Sequence, residues 1–182
     1  MNGSEYVDAH LTAAKRLAAE VVRLCREKGL HVTTAESCTG GLISELLTGV
    51  SGCSAVLELC LCTYSNDVKS RVLGVSAQTL ERYTEYSHEC ADEMIVGALR
   101  VSGAEVGIST TGIAGPDGGT ESDPVGTVYI GVCGADGHIF TERYCVDTDK
   151  GGALTRELVR AAAAERGLSL LVEALEKGEK NG

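Results

Sequence analysis

The stretch Leu30-His31-Val32-Thr33-Thr34-Ala35-Glu36-Ser37-Cys38-Thr39-Gly40-Gly41-Leu42-Ile43 decides the fold. Leu30 to Ala35 is a short β-branched run, which favours an extended strand, and it ends abruptly in a polar, glycine-containing turn. From Leu42 the apolar spacing changes to Leu42, Ile43, Leu46 and Leu47, the pattern of one buried helix face. Strand, turn and helix in this order open an α/β unit. A serine between a strand end and a helix start has its hydroxyl raised into a crevice, and N–H groups of the helix start face any oxyanion formed beside it. Ser37 is therefore a candidate nucleophile. The simpler alternative makes Ser37 or Thr39 the N-cap of the following helix.

Upstream, apolar residues recur at Val7, Leu11, Ala14, Leu17, Val21 and Leu24, which predicts a packing helix from Ser4 to Lys28 with Gly29 as its stop. Downstream, Ala55 to Tyr64 reads as a buried strand, and Asn66 to Leu73 and Ser76 to Tyr83 as short helices. A longer helix from Ser87 to Val101 has Ser87 as N-cap and Glu89 in its first turn. A strand from Glu105 to Thr110 precedes the polar loop Gly112 to Gly119. Val125 to Cys133 and His138 to Val146 then form a hairpin turned at Ala135-Asp136-Gly137, and an Ala/Leu-rich helix runs from Thr155 to Glu176. Neither an internal repeat nor a linker interrupts this order. The expectation is one domain over 1–182, with an N-terminal packing helix (1–29) and an α/β core with C-terminal helix (30–177), folded as a three-layer α/β/α sandwich with a mixed sheet.

The 182 residues carry 16 basic and 26 acidic side chains, a net charge of −10 that would be repelled by a phosphate backbone, so no nucleic-acid partner is expected. No stretch exceeds twelve residues without a charge, and the N-terminus lacks a basic region followed by an apolar run. A soluble cytoplasmic protein with no membrane partner is expected. Six Tyr, one Phe and no Trp leave an aliphatic core. The eight cysteines read as reduced thiols, and Cys60-Leu61-Cys62 as strand residues rather than half of a zinc site. His88-Glu89-Cys90-Ala91-Asp92 ends in Asp where the zinc-protease pattern HExxH has His. No metal and no cofactor are expected.

A serine nucleophile needs a base, and the histidines at 10, 31, 88 and 138 are not embedded in a polar cluster with Asp or Asn. Lys69, in Thr63-Tyr64-Ser65-Asn66-Asp67-Val68-Lys69, is an alternative, because a lysine at the end of a buried strand can be desolvated until it is neutral near pH 7. Ser65, four residues earlier, is then a rival nucleophile. The loop Gly112 to Gly119 contains no lysine, so any phosphate it cradles would rest on backbone N–H groups.

Four ordered motifs, Ala35-Glu36-Ser37-Cys38-Thr39-Gly40-Gly41, Thr63-Tyr64-Ser65-Asn66 with Lys69, Gly112-Ile113-Ala114-Gly115-Pro116-Asp117-Gly118-Gly119, and Pro124-Val125-Gly126-Thr127-Val128, closely resemble the CinA C-terminal domain family. The resemblance covers roughly Leu30 to Arg160 and implies an α/β/α fold. It also implies nicotinamide-nucleotide amidase activity, which hydrolyses the carboxamide of nicotinamide mononucleotide to nicotinic acid mononucleotide and ammonia by a Ser/Lys dyad without metal. Carried over by motif, Ser37 is the nucleophile, Lys69 the base and Tyr64 a support for proton transfer. Thr39, Gly40 and Gly41 would hold the oxyanion, and Thr111, Gly112 and Gly115 would lie in the site. Arg156, in Arg156-Glu157-Leu158-Val159-Arg160, resembles the family's Arg-x-x-Ile-Arg helix start and is the phosphate candidate.

The chain departs from the family pattern at Cys60, where Gly is common, and at Thr84-Glu85-Tyr86, which replaces a small or apolar approach to Ser87. Both bear on substrate preference. Larger members carry an N-terminal domain related to molybdopterin-binding proteins, and with about thirty residues before the first strand its pyrophosphatase activity is expected to be absent. A small nucleotide substrate and a homo-oligomer are expected. The competing readings are a non-catalytic nucleotide-binding or competence-associated interaction module, and an amidase for another carboxamide.

Overall fold

The computed structural model describes residues 3–146 and 154–177, so both ends of the expected domain 1–182 lie outside the described residues. Five strands form one sheet in the order β2-β1-β3-β4-β5, with β1 at Val32–Glu36, β2 at Leu57–Cys62, β3 at Val106–Gly112, β4 at Thr127–Cys133 and β5 at Ile139–Cys145. β1 pairs in parallel with both β2 and β3, whereas β3–β4 and β4–β5 are antiparallel. The sheet is mixed, as expected.

This order places the site. The chain leaves β1 to one side to make β2 and returns to the other side to make β3, so connections diverge at the carboxyl edge of β1 and open a crevice there. The carboxyl ends of all three parallel strands share that edge, which brings together Glu36-Ser37, Cys62-Thr63-Tyr64 and Gly112-Ile113.

Helices cover both faces. α5 (His88–Ser102) crosses one face against β1, β3, β4 and β5, with α4 (Ala77–Tyr83) beside it. On the other face lie α2 (Leu42–Thr48) and α6 (Arg156–Lys177). α1 (Gly3–Lys28) packs along α6 and against α2 rather than on the sheet. Ile43, Leu47, Ile108, Ile130, Leu168 and Leu171 fill the larger core, and Ala35, Leu73, Met94 and Ala98 the smaller one. With both faces covered, β1 and β4 are buried at every position, and β1 carries no polar alternation to betray a solvent side.

β2 corrects one expectation. It is an edge strand rather than a buried one, with Glu58 and Cys62 exposed and the rest half-buried, because only β1 pairs with it. No helix among the described residues is long and apolar enough to cross a membrane.

Candidate active site

The turn after β1 is shaped by an internal carboxylate. Glu36 is fully buried, and its oxygens accept from the N–H of Gly41 (3.0 Å), Ile43 (3.1 Å) and Ser44 (2.8 Å) and from the Ser44 hydroxyl (2.6 Å). The N-cap of α2 is Gly41, whose own side caps nothing, so Glu36 supplies the acceptor that a capping side chain would. Neither Ser37 nor Thr39 caps the helix. Thr39 Oγ1 bonds Thr110 Oγ1 at 2.7 Å, and the Ser37 hydroxyl is left for other chemistry.

The same turn corrects the expected oxyanion site at two of its three donors. The Gly40 N–H donates to the Ser37 carbonyl at 3.0 Å and the Gly41 N–H to Glu36, so neither is available to a substrate oxyanion. Gly40 and Gly41 serve the backbone instead, at φ 61° and 92°, in the left-handed region that favours glycine. The Thr39 carbonyl accepts from Arg160 Nε (3.0 Å) and Nη2 (2.9 Å), which ties the turn to α6.

Lys69 reaches this turn from the β2 side. Beyond β2 the chain forms a single helical turn, α3 (Asn66–Val68), and widens into a π-helical turn over Lys69–Leu73. Ser65 caps it: its hydroxyl accepts from the Val68 N–H at 3.4 Å and its carbonyl from the Lys69 N–H at 2.9 Å. The Lys69 side chain is 1% exposed, and its Nζ donates to Ser37 Oγ at 3.0 Å and to the Tyr64 carbonyl at 3.3 Å. Ser65 is thus a cap, and of the two candidate serines it is Ser37 whose hydroxyl meets the Lys69 amine. Burial lowers the Lys69 ammonium below the usual lysine range, against the opposing influence of Cys90, Glu85 and two further thiols. Once neutral, the amine can accept the Ser37 proton across the same contact.

The remaining candidates line the cleft unequally. The cleft encloses about 140 Å³ beside Ser37 and Lys69, with Tyr64, Gly112, Gly115 and Arg156 on its walls. Tyr64 meets Lys69 through its backbone carbonyl, while its side chain, on a residue 61% exposed, turns away so that the phenol accepts from Arg156 Nη2 at 2.6 Å. Thr111 is buried, and its hydroxyl donates to the Glu85 carbonyl at 2.6 Å, so it secures a neighbouring loop rather than facing substrate. At Gly112 a Cβ would fall 2.5 Å from the Thr127 carbonyl oxygen, a close approach that only glycine permits. Arg156, the first residue of α6, is exposed and donates to the Gly115 carbonyl at 2.8 Å.

Cys38, next to Ser37, is buried, and desolvation pushes its thiol up to about 12, which removes it as a nucleophile near neutrality. The histidines sit elsewhere: His10 with Glu165, His31 with Glu105 and Glu58, His88 edge-on to Tyr129, and His138 stacked on Phe140. Among the described residues no group of three or more His, Cys, Asp or Glu is placed to hold a metal ion. The sequence reading missed three residues of the site. Arg160 lies one turn beyond Arg156 on the same helix face, a spacing that signals it. Glu36 is an acid ending an otherwise uncharged strand, and Glu85, which lines the cleft, stood out only as a departure from the family pattern.

An α/β/α domain with a hydroxyl and an amine joined at the carboxyl edge of its parallel strands is the class that fold and site define. The chain belongs to the CinA C-terminal domain family, whose model matches residues 14–175. It is 45% identical over 148 residues to the nicotinamide-nucleotide amidohydrolase PncC of Enterobacter agglomerans, covering 81% of this chain and 87% of that one. Identity to the protein of the same name from Escherichia coli K12 is 39% over 156 residues, 86% of this chain and 91% of the other. A longer relative, a putative competence-damage inducible protein of Caldicellulosiruptor saccharolyticus, is 54% identical over 112 residues that span 27% of its length. Among solved structures, the competence/damage inducible protein CihA from Agrobacterium tumefaciens superposes with a TM-score of 0.83 at 35% identity, covering 89% of this chain and 95% of that one.

Proposed function

We propose that the protein is a nicotinamide-nucleotide amidase that converts nicotinamide mononucleotide and water to nicotinic acid mononucleotide and ammonia. The observation that carries the reading is the buried contact of 3.0 Å between Lys69 Nζ and Ser37 Oγ. The two PncC relatives, matched over most of their lengths, support the substrate.

Neutral Lys69 takes the Ser37 proton as Oγ adds to the carboxamide carbon, and the carbonyl electrons move onto oxygen. Collapse of this intermediate breaks the C–N bond while the Lys69 ammonium returns the proton to nitrogen, and ammonia departs. Water then gives a proton to Lys69 and attacks the acyl ester, and Ser37 Oγ leaves and recovers that proton. The Tyr64 carbonyl holds Nζ during both transfers. The oxyanion rests on donors other than the N–H groups of Gly40 and Gly41, which are already engaged.

Arg156 is the phosphate ligand in this reading, because a planar guanidinium at a helix start can fork onto phosphate oxygens. Its bonds to Gly115 and the Tyr64 phenol support the assignment by fixing the guanidinium on the cleft wall. We further infer a single domain working in the cytoplasm and associating with itself; eight free cysteines support the compartment, and molar mass in solution tests the association. The experiment for the main reading is ammonia release from nicotinamide mononucleotide. Ser37→Ala is expected to lower turnover at least a thousandfold with the fold intact, and turnover within tenfold of the parent would overturn Ser37 as nucleophile.

A further inference from the structure

We propose that Glu85, assisted by Tyr86, makes the cleft selective for a pyridine ring carrying a permanent positive charge. The inference rests on the amidase reading and names the part of that substrate which these residues recognise. Nicotinamide mononucleotide has two opposite charges, the phosphate and the quaternised ring nitrogen, and the ring is the part that must lie beside Ser37 when its carboxamide is attacked. Arg156 answers the phosphate. The ring charge needs an answer of its own, and desolvating a cation without one is costly.

The loop from Thr84 to Ser87 supplies it. Glu85 and Tyr86 both line the cleft with Ser37 and Lys69, and both are half-buried. Among the described residues the Glu85 carboxylate accepts from the Asn66 amide at 3.3 Å and from the neighbouring Tyr86 phenol, and neither partner is a lysine or arginine. Lys69 senses the Glu85 charge without forming an ion pair with it, and once Lys69 is neutral, as attack by Ser37 requires, that charge is left to answer a cation entering the cleft. Tyr86 adds an aromatic ring, and tyrosine faces attract organic cations. Burial and the adjacent Glu85 carboxylate push the Tyr86 phenol up, so the ring stays neutral beside the acid.

The loop is also held firmly in place. The Glu85 carbonyl accepts from Thr111 Oγ1 at 2.6 Å, the Thr84 carbonyl from Ser87 Oγ at 3.1 Å, and Thr84 Oγ1 from the Tyr86 N–H at 3.2 Å. Thr84 itself sits at φ 67° and ψ 176°, a conformation that L side chains adopt only under strain. Three hydrogen bonds hold a strained backbone here, and what they hold in position is a carboxylate and an aromatic ring at the reacting end of the cleft.

The test compares nicotinamide mononucleotide with its 1,4-dihydro form, which keeps the carboxamide, ribose and phosphate but has an uncharged ring. Dissociation constants are measured by calorimetry in the Ser37→Ala chain, so that turnover does not interfere. This chain is expected to prefer the cationic form at least tenfold. Adding Glu85→Gln should remove most of that preference by weakening the cationic ligand, with the dihydro form changed less than about threefold, while Glu85→Asp should restore part of it. Equal weakening of both ligands would overturn the inference and assign Glu85 to the shared ribose or to the fold. An unchanged preference would overturn it as well. Ammonia release by the unmodified chain tests the amidase reading separately: a chain that binds without hydrolysing refutes that reading while the two-ligand comparison still decides the role of Glu85, and failure to bind either form refutes both.

Discussion

Replacing Glu36 with alanine should loosen the front of α2 and with it the turn that presents Ser37. The carboxylate accepts three backbone N–H groups and one hydroxyl, and the environments of those donors set the magnitude. Ile43 is buried, so its N–H would be orphaned away from water at a cost of about 1–3 kcal/mol. Gly41 and Ser44 are half-buried and can recruit water, which leaves the loss of a helix cap, about 1 kcal/mol. Together these give about 3 kcal/mol, or a fall in the thermal midpoint of about 6–12 °C for a chain of this length. Glu36→Gln keeps the shape but turns an NH2 toward backbone donors, and should lose about 2 kcal/mol. Thermal unfolding followed by circular dichroism gives the first readout and ammonia release the second, where kcat should fall more than tenfold with KM little changed. An alanine variant within about 1 kcal/mol of the parent and fully active would refute the reasoning, since the helix front would then be held by something else.

Lys69→Met should abolish turnover yet leave the protein as stable as before or more so near neutral pH. Because the folded lysine has its pKa lowered, the unfolded chain binds the proton more readily between that depressed value and the ordinary 10.5; the parent's stability therefore rises with pH across this window, and denaturant titrations should show the rise vanish in the variant. The kcat/KM of the parent should rise with pH as Lys69, influenced by Cys90, Glu85, Cys38 and Cys62, loses its proton, and a flat profile from pH 6 to 10 would contradict Lys69 as base. Gly97→Ala would place a Cβ 2.0 Å from the Leu73 carbonyl oxygen, so α5 and the π-helical turn must separate; we expect a loss of about 3 kcal/mol in urea unfolding and a drop in kcat, because that turn carries Lys69. Arg156→Ala should raise KM for the nucleotide about ten- to a hundredfold and scarcely change residual activity on the dephosphorylated riboside; equal losses on both would show that its bonds to Gly115 and Tyr64 matter more than the phosphate.

Much of the fold was legible because its signals are local. The run into Ser37, the apolar spacing of α1 and the Ser87 cap each depend on residues within a turn or two, and the Ser87 hydroxyl does accept the Cys90 N–H at 3.1 Å. The position of β2 in the sheet was not legible, since an edge strand and a buried one differ in their neighbours rather than in their own residues. The contacts of Tyr64 and Thr111 were not legible either, because the phenol of one and the hydroxyl of the other find partners from distant segments, Arg156 and Glu85.

The sequence alone determined that Ser37 stands at a strand-to-helix turn, that Gly40 and Gly41 bend it, and that a lysine follows the second strand. Backbone preference and apolar period act between near neighbours, and near neighbours are what a sequence displays. Only the tertiary structure decided that Lys69 bonds Ser37, 32 positions away, rather than Ser65, four positions away, and that Glu36 rather than a hydroxyl caps α2. The physical reason is geometric. β1 and β2 in parallel register set their carboxyl ends side by side, and the π-helical turn at Lys69 directs the amine into that edge while Ser65 spends its hydroxyl on the turn itself.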